Sequence, residues 1–303
     1  MIRRTGLIVA TFTPLTAEGR INLAAIEPQA DAFVKLGASG VYVNGTTGEG
    51  PSLSVEERAN VALRWREVGK ERGLPVIVQV GTQSLAESEY LARHAQEIGA
   101  DAISCLAPSY FKPAKVEDLV AFCQAVAGSA PGLPFYYYQI PMRTGVSFPL
   151  LDFLRNAADR IPTLTGAKFS HPDLMDFLRC LRFEGGRFDI LYGLDEMLLA
   201  ALSLGAAGAV GTTYNFAAPV YQRLMRAFAA GDLETARLEQ ARAIEMIICL
   251  ARHDFLPAAK RLMRIIGLDC GPVRLPLRDL TSESERQLRA ELEAIGYFDW
   301  ARQ

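Results

Sequence analysis

The segment Leu36-Gly37-Ala38-Ser39-Gly40 is followed at once by Val41-Tyr42-Val43, and this helix-to-strand turn indicates the fold. The same device returns as Ile98-Gly99-Ala100-Asp101-Ala102-Ile103 and as Leu204-Gly205-Ala206-Ala207-Gly208-Ala209-Val210. Glycine just past a helix end supplies a left-handed cap, and alanine lets that end lie close to a sheet. Three near-identical turns therefore predict a repeated strand–helix unit.

Eight short apolar segments have the composition of buried strands, and each is followed by sequence of helical spacing. They cover residues 7–12, 41–43, 74–80, 102–106, 135–138, 164–168, 190–192 and 209–211. This pattern matches a (β/α)8 TIM barrel better than an open doubly wound sheet, which would need a Gly-x-Gly-x-x-Gly turn after its first strand. The segments Ser54-Val55-Glu56-Glu57 and Ser84-Leu85-Ala86-Glu87 both fit a capping box at a helix start.

The last part of the chain has a different pattern, with helical segments at 233–252, 258–266 and 282–295. We therefore divide the chain into a TIM-barrel catalytic domain, residues 1–224, and a C-terminal helical extension, residues 225–303. The extension should pack on the barrel, where it either contributes to a subunit interface or covers the rim of the active site.

Composition excludes several classes of partner. The net charge of the 303 residues is −2 with mixed signs along the chain, which argues against nucleic acid and anionic membrane surfaces. No apolar run approaches the roughly 20 residues that span a bilayer. The start, Met1-Ile2-Arg3-Arg4, leads directly into a strand-like segment, so we expect no signal peptide.

The cysteines and histidines indicate a reducing compartment and no cofactor. The five cysteines are scattered and lack a Cys-x-x-Cys pair, which favours a cytoplasmic location. His94, His171 and His253 lie far apart in sequence without metal-ligand spacing, so we expect no metal.

A lysine ends one of the apolar strands, in Ile161-Pro162-Thr163-Leu164-Thr165-Gly166-Ala167-Lys168-Phe169-Ser170. Burial penalises the charged ammonium, so part of the Lys168 amine should be the free base, which attacks ketones. A lysine at a strand end could instead extend into solvent or pair with a carboxylate.

In a barrel the carboxyl ends of the strands share one face, where distant residues meet. The loop Asn44-Gly45-Thr46-Thr47-Gly48-Glu49-Gly50 follows the second strand and could form a backbone nest for a carboxylate, or be an ordinary loop.

Tyr138 ends the fifth strand, where it could carry protons or simply pack. Asp195 and Glu196 follow the seventh strand, where acids also complement a helix dipole. Gly211-Thr212-Thr213-Tyr214-Asn215 follows the eighth. Their convergence around Lys168 favours a chemical role for the amine.

Three motifs in order, Gly45-Thr46-Thr47-Gly48-Glu49, Tyr138-Gln139-Ile140-Pro141 and Gly166-Ala167-Lys168, resemble the dihydrodipicolinate synthase/N-acetylneuraminate lyase family of pyruvate-dependent class I aldolases. The likeness is strongest to the N-acetylneuraminate lyase branch. It implies that Lys168 forms a Schiff base with the C2 ketone of a keto-acid and that Tyr138 moves protons. Thr46 and Thr47 would hold the substrate carboxylate.

The same resemblance implies a reaction and further contacts. The reaction is cleavage of N-acetylneuraminate, or a similar 2-keto-3-deoxy sugar acid, to pyruvate and an aldehyde such as N-acetylmannosamine, in a homotetramer. The residues expected to contact the hydroxylated tail of the sugar acid are Ser170, Gly193, Asp195, Glu196 and Thr212.

Two positions depart from that branch. Gln139 replaces the usual small polar residue or histidine after the tyrosine. Arg143 stands where lyases generally have an apolar residue and where dihydrodipicolinate synthases have an arginine for a second carboxylate. The alternative is therefore a dihydrodipicolinate synthase, or another pyruvate-dependent aldolase or dehydratase acting on a shorter keto-acid, although Arg143 could also be a solvated loop residue or an interface pair. A non-catalytic barrel that senses a keto-acid is a third hypothesis.

Overall fold

The computed structural model describes residues 4–301, and eight parallel strands in it close into a barrel in sequence order. The strands are β1 (Gly6–Ala10), β2 (Gly40–Val43), β3 (Val76–Gln79), β4 (Ala102–Leu106), β5 (Phe135–Gln139), β6 (Leu164–Phe169), β7 (Asp189–Tyr192) and β8 (Gly208–Gly211). Pairing of β1 with β8 closes the barrel. The predicted TIM barrel is confirmed, with every strand end within two residues of its expected place.

Helices follow the strands and cover the barrel from outside. Those up to the last strand and directly after it are α1 (Ile26–Lys35), α2 (Val55–Arg72), α3 (Leu85–Glu97), α4 (Val116–Gly128), α5 (Pro141–Thr144), α6 (Leu150–Ala157), α7 (Leu174–Arg182), α8 (Leu198–Ser203) and α9 (Tyr214–Ala229). The C-terminal helices are α10 (Leu233–Arg252), α11 (Phe255–Ile265), α12 (Ser282–Ala294) and α13 (Tyr297–Trp300). Short 3-10 helices lie at Leu23–Ala25, Gly50–Ser52, Phe183–Gly185 and Asp195–Met197.

The local signals at the helix ends mostly take the expected form. Gly37 and Gly99 have φ of +66° and +72°, the left-handed conformation that ends α1 and α3. At Ser54 the capping box is complete, because Ser54 Oγ accepts from the Glu57 amide and the Ser54 amide donates to Glu57. At Ser84 only half of the expected box forms, since the Ser84 amide donates instead to Thr82 Oγ1 at 3.0 Å.

Two buried layers make up the core. The larger lies between the strands and the surrounding helices, and the smaller fills the barrel interior. Alternation along β5 divides its tyrosines between them as predicted: Tyr136 and Tyr138 face the interior, whereas Tyr137 faces outward and stacks on Phe153 with ring centroids 4.3 Å apart. The interior layer includes Tyr42 of β2, which lies below the carboxyl ends of the strands.

Within residues 4–301, no helix is long and apolar enough to cross a membrane. The expectation that no signal peptide precedes the barrel rests on residues 1–3, which lie outside the described range, as do residues 302–303 of the expected extension.

Candidate active site

A cavity of about 330 Å³ opens at the carboxyl ends of the strands. All ten residues that the sequence singles out line it: Thr46, Thr47, Tyr138, Arg143, Lys168, Ser170, Gly193, Asp195, Glu196 and Thr212. They come from the ends of five strands and the loops that follow, so the barrel topology alone brings them together.

Lys168 lies inside this cavity and not at the surface. It is the residue of β6 that pairs in register with Tyr138 of β5, and it is 5% exposed. Its Nζ atom lies 4.2 Å from the ring centroid of Tyr42 and 4.3 Å from that of Tyr138. The amine is thus held between two aromatic rings on a side chain that is almost entirely buried.

The hydroxyls of the β2–α2 loop face the same space. Thr46 Oγ1 lies 3.4 Å from the Tyr138 hydroxyl oxygen, and Thr47 Oγ1 lies 2.7 Å from Thr212 Oγ1. These two pairs place four hydroxyls around one end of the cavity, where they can donate to a carboxylate.

The backbone of this loop is fixed by its own contacts. Asn44 and Glu49 both have positive φ, at 61° and 54°. The Asn44 side-chain amide donates to the Arg58 carbonyl at 2.9 Å, and Thr13 Oγ1 donates to the Gly48 carbonyl at 2.6 Å. A Cβ at Gly50 would lie 2.1 Å from the Asn44 carbonyl oxygen, so this turn closes only around glycine.

The acidic pair occupies the 3-10 turn Asp195–Met197 after β7. Asp195 is buried, and its Oδ2 accepts from the backbone amide and the hydroxyl of Thr213, at 2.9 Å and 2.6 Å. Burial raises the pKa of Asp195 above its ordinary value despite these hydrogen bonds. Burial also raises the pKa of Glu196, and the neighbouring Asp195 charge adds to this effect. The two carboxyls therefore form a poorly hydrated acceptor site suited to hydroxyl groups.

Ser170 provides a polar atom that no described residue satisfies. Its Oγ is buried and has no hydrogen-bond partner within residues 4–301. A Cβ at Gly193 would lie 2.1 Å from this oxygen, so glycine at position 193 makes room for the hydroxyl. An unsatisfied buried hydroxyl lining a cavity is available to a ligand.

The helices α10 and α11 of the C-terminal extension also line the cavity. The side chains that they contribute are Ile247, Ala251, Phe255 and Leu256. They form an apolar wall opposite the strand ends, and sequence reasoning did not assign them to the site. Among residues 4–301, histidine, cysteine and carboxylate side chains form no cluster arranged to hold a metal ion.

Sequence reasoning also missed Tyr42 and Lys260. The position of Tyr42 inside β2, between two valines of the outer layer, was a usable signal because alternation sends its ring into the barrel. Lys260 had no such signal. Its sequence context is an ordinary amphipathic helix, yet its Nζ is buried beside Glu49.

A barrel with a buried lysine on one strand, a tyrosine in register on the next and hydroxyls beside them has the architecture of an aldolase. The chain belongs to the dihydrodipicolinate synthetase family, whose model matches residues 3–295. It is 43% identical to the N-acetylneuraminate lyase of Gallus gallus, over 97% of both chains. It superposes on the N-acetylneuraminate lyase of Proteus mirabilis with a TM-score of 0.95, 41% identity, and coverage of 98% of this chain and 100% of the other. A dihydrodipicolinate synthase of Bacillus anthracis shares the fold with a TM-score of 0.90 but 28% identity, over 97% of this chain and 99% of the other.

Proposed function

We propose that this chain is a class I aldolase that cleaves N-acetylneuraminate, or a similar 2-keto-3-deoxy sugar acid, to pyruvate and an aldehyde such as N-acetylmannosamine. The observation that carries this proposal is the buried Lys168 amine, held between two tyrosine rings in a cavity lined by hydroxyls and carboxyls. The relatives named N-acetylneuraminate lyase match nearly the whole chain and support this substrate class over others.

The reaction begins at the Lys168 nitrogen. The neutral amine attacks the C2 ketone, and the resulting carbinolamine takes up one proton on its hydroxyl and loses water, which leaves a protonated imine. Thr46 and Thr47, with the amides of their loop, hold the C1 carboxylate and so place C2 against the amine. The positive nitrogen then acts as an electron sink.

Cleavage follows by loss of the C4 hydroxyl proton. Tyr138 accepts this proton while its own phenolic proton moves to the substrate carboxylate. The C4 oxygen forms the aldehyde carbonyl, and the electrons of the C3–C4 bond form the C2–C3 double bond of an enamine on Lys168. That proton returns through Tyr138 to C3, which forms the protonated imine again. Hydrolysis of this imine by water then releases pyruvate and one proton and regenerates the amine. The register of Tyr138 with Lys168 across β5 and β6 supports this division of roles.

The hydroxylated tail of the sugar acid extends toward β7 and β8. Asp195 and Glu196 accept hydrogen bonds from its hydroxyls, and Ser170 and Thr212 add neutral partners, with the backbone at Gly193 leaving room. The apolar side chains of α10 and α11 line the remaining side of this subsite.

Arg143 favours a second candidate, which is a dihydrodipicolinate synthase or another pyruvate-dependent aldolase or dehydratase acting on a shorter keto-acid. It lies in α5 directly after β5, is exposed, and lines the mouth of the same cavity. A guanidinium at this place suits a second carboxylate on the substrate.

Turnover assays separate the two candidates. We expect release of pyruvate from N-acetylneuraminate and little condensation of pyruvate with aspartate semialdehyde; the reverse result would favour the synthase. A panel of keto-sugar acids differing in chain length and N-acyl group then defines the substrate.

Borohydride trapping tests the covalent step. Reduction in the presence of pyruvate should add a pyruvate-derived mass at Lys168, and Lys168→Ala should abolish it, whereas Lys35→Ala at an exposed position should not. Absence of the adduct in the unaltered protein would favour a keto-acid sensor.

We propose further that the chain is a cytoplasmic homotetramer. Tyr110, Phe111 and Met142, beyond the ends of β4 and β5, are 79–85% exposed, an apolar surface suited to association. The five cysteines are free and buried, in keeping with a reducing compartment. Sedimentation analysis tests the assembly.

A further inference from the structure

Tyr42 contacts the reacting nitrogen although nothing in the proposed mechanism uses it. Its ring centroid lies 4.2 Å from Lys168 Nζ, within the distance of a cation–π contact. The rings of Tyr42 and Tyr138 meet edge to face, at 5.7 Å and 75°. The nitrogen therefore lies in an aromatic corner formed by two strands that are far apart around the barrel, β2 and β5.

The hydroxyl of Tyr42 is engaged elsewhere. It donates to Ser104 Oγ of β4 at 2.9 Å, in a fully buried hydrogen bond. Burial raises the pKa of Tyr42 well above its ordinary value, so the phenol stays neutral. What Tyr42 presents to the amine is therefore the face of an uncharged ring and not a proton donor.

The surroundings fix this ring in place. A Cβ at Gly45 would lie 2.8 Å from a ring carbon of Tyr42, so the backbone of the Asn44–Gly50 loop packs directly against the ring. Ser104 holds the other end. These two contacts restrict rotation of the ring, so its face stays beside the nitrogen.

The charge of this nitrogen changes four times in the proposed reaction. The attacking amine is neutral, the imine is a cation and the enamine is neutral; return of the proton to C3 forms the cation again, and hydrolysis restores the neutral amine. A neutral ring face attracts a cation through its quadrupole and is indifferent to an amine, and the attraction grows where water is excluded. Such a contact favours the imine without binding the free ammonium as tightly as a carboxylate would.

We propose that Tyr42 is a catalytic residue whose aromatic face stabilises the positively charged imine nitrogen on Lys168. This role rests on the proposed Schiff-base function and adds a residue to it. Tyr138 contributes a second face and also the hydroxyl, whereas Tyr42 contributes the face alone.

A fluorination series isolates this contribution. Nonsense suppression places phenylalanine and its mono-, di- and trifluorinated forms at position 42, which lowers the ring quadrupole in steps while volume changes little. The measurement is the pyruvate concentration for half-maximal borohydride trapping at Lys168 in the full-length protein. We expect each fluorine to raise this concentration by a constant factor, with the trifluorinated ring roughly tenfold weaker than phenylalanine.

Tyr137 provides the matched control. It is equally buried but faces the outer layer, away from the amine, so the same series there should leave trapping unchanged. If the half-maximal pyruvate concentration does not change across the series at position 42, or changes equally at positions 42 and 137, the role of Tyr42 is overturned while the Schiff-base function stands. Absence of trapping in the unaltered protein overturns the Schiff-base function with it.

Discussion

Lys260 Nζ donates a 2.8 Å hydrogen bond to Glu49 Oε1, and both side chains are at most 2% exposed. The same ammonium donates to the Pro272 carbonyl, and Glu49 Oε2 accepts from the Arg274 amide. Glu49 ends the loop that carries Thr46 and Thr47. A charge on a C-terminal helix thus holds the part of the barrel that is proposed to bind the substrate carboxylate.

Lys260→Met should lower the free energy of unfolding by roughly 3–5 kcal/mol, because it leaves the Glu49 carboxylate buried without its cation. Chemical denaturation measures this loss. Arg261→Met is the matched control on the same helix: its partners Asp279 and Glu285 are about one third exposed, so its cost should be about 1 kcal/mol or less.

A second variant separates burial of a lone charge from loss of packing. Glu49→Gln added to Lys260→Met removes the unpaired carboxylate and should restore part of the stability. Equal losses for Lys260→Met and Arg261→Met would contradict the buried-pair interpretation.

Tyr138→Phe should separate proton transfer from imine formation. The ring beside Lys168 remains and only the hydroxyl is lost, so trapping of pyruvate should persist while kcat for cleavage falls by roughly 10²–10⁴-fold. Steady-state kinetics and borohydride trapping on the same preparation give both values. Unchanged cleavage would assign the proton transfer to another group.

Glu196 should make the free energy of unfolding depend on pH in one definite direction. Because its folded pKa is raised above the ordinary 4.5, the folded state binds more protons than the unfolded state in the window between the two values. Stability relative to Glu196→Gln should therefore fall as the pH rises through that window. Urea denaturation of both proteins between about pH 4 and 7 measures the difference; a rise with pH would contradict the direction of the shift.

Gly166→Ala should destabilise the barrel by roughly 1–3 kcal/mol or more. A Cβ there would lie 1.8 Å from the Asp189 carbonyl oxygen, which would force β6 away from β7. Gly128→Ala is the control, since among residues 4–301 its added Cβ would meet no atom within 4 Å beyond its chain neighbours and the backbone of its own helix, and the helix should gain up to about 1 kcal/mol. Thermal unfolding of the two variants compares them, and similar melting temperatures would show that the strands can separate at little cost.

Local sequence signals account for most of the fold. The glycines that end α1 and α3, the serine cap at Ser54 and the apolar strands act over a few residues, so each could be recognised without coordinates. The sequence could place the proposed site residues around one cavity because barrel topology sends all strand ends to one face. The buried pair of Lys260 and Glu49 was not recoverable, since it joins residues 211 positions apart and neither segment signals the other. The capping box predicted at Ser84 forms only in part because Thr82 Oγ1 accepts the hydrogen bond of the Ser84 amide.

The pairing of Tyr138 with Lys168 has a further consequence. The two residues lie opposite each other on neighbouring strands, so the distance between the proposed proton carrier and the proposed nucleophile is set by main-chain hydrogen bonding. Changes in the sequence or length of the loops and helices around the rim leave the distance between Tyr138 and Lys168 unaltered. The sheet therefore fixes the distance that the proposed chemistry needs, and sequence changes at the rim can alter which substrate binds.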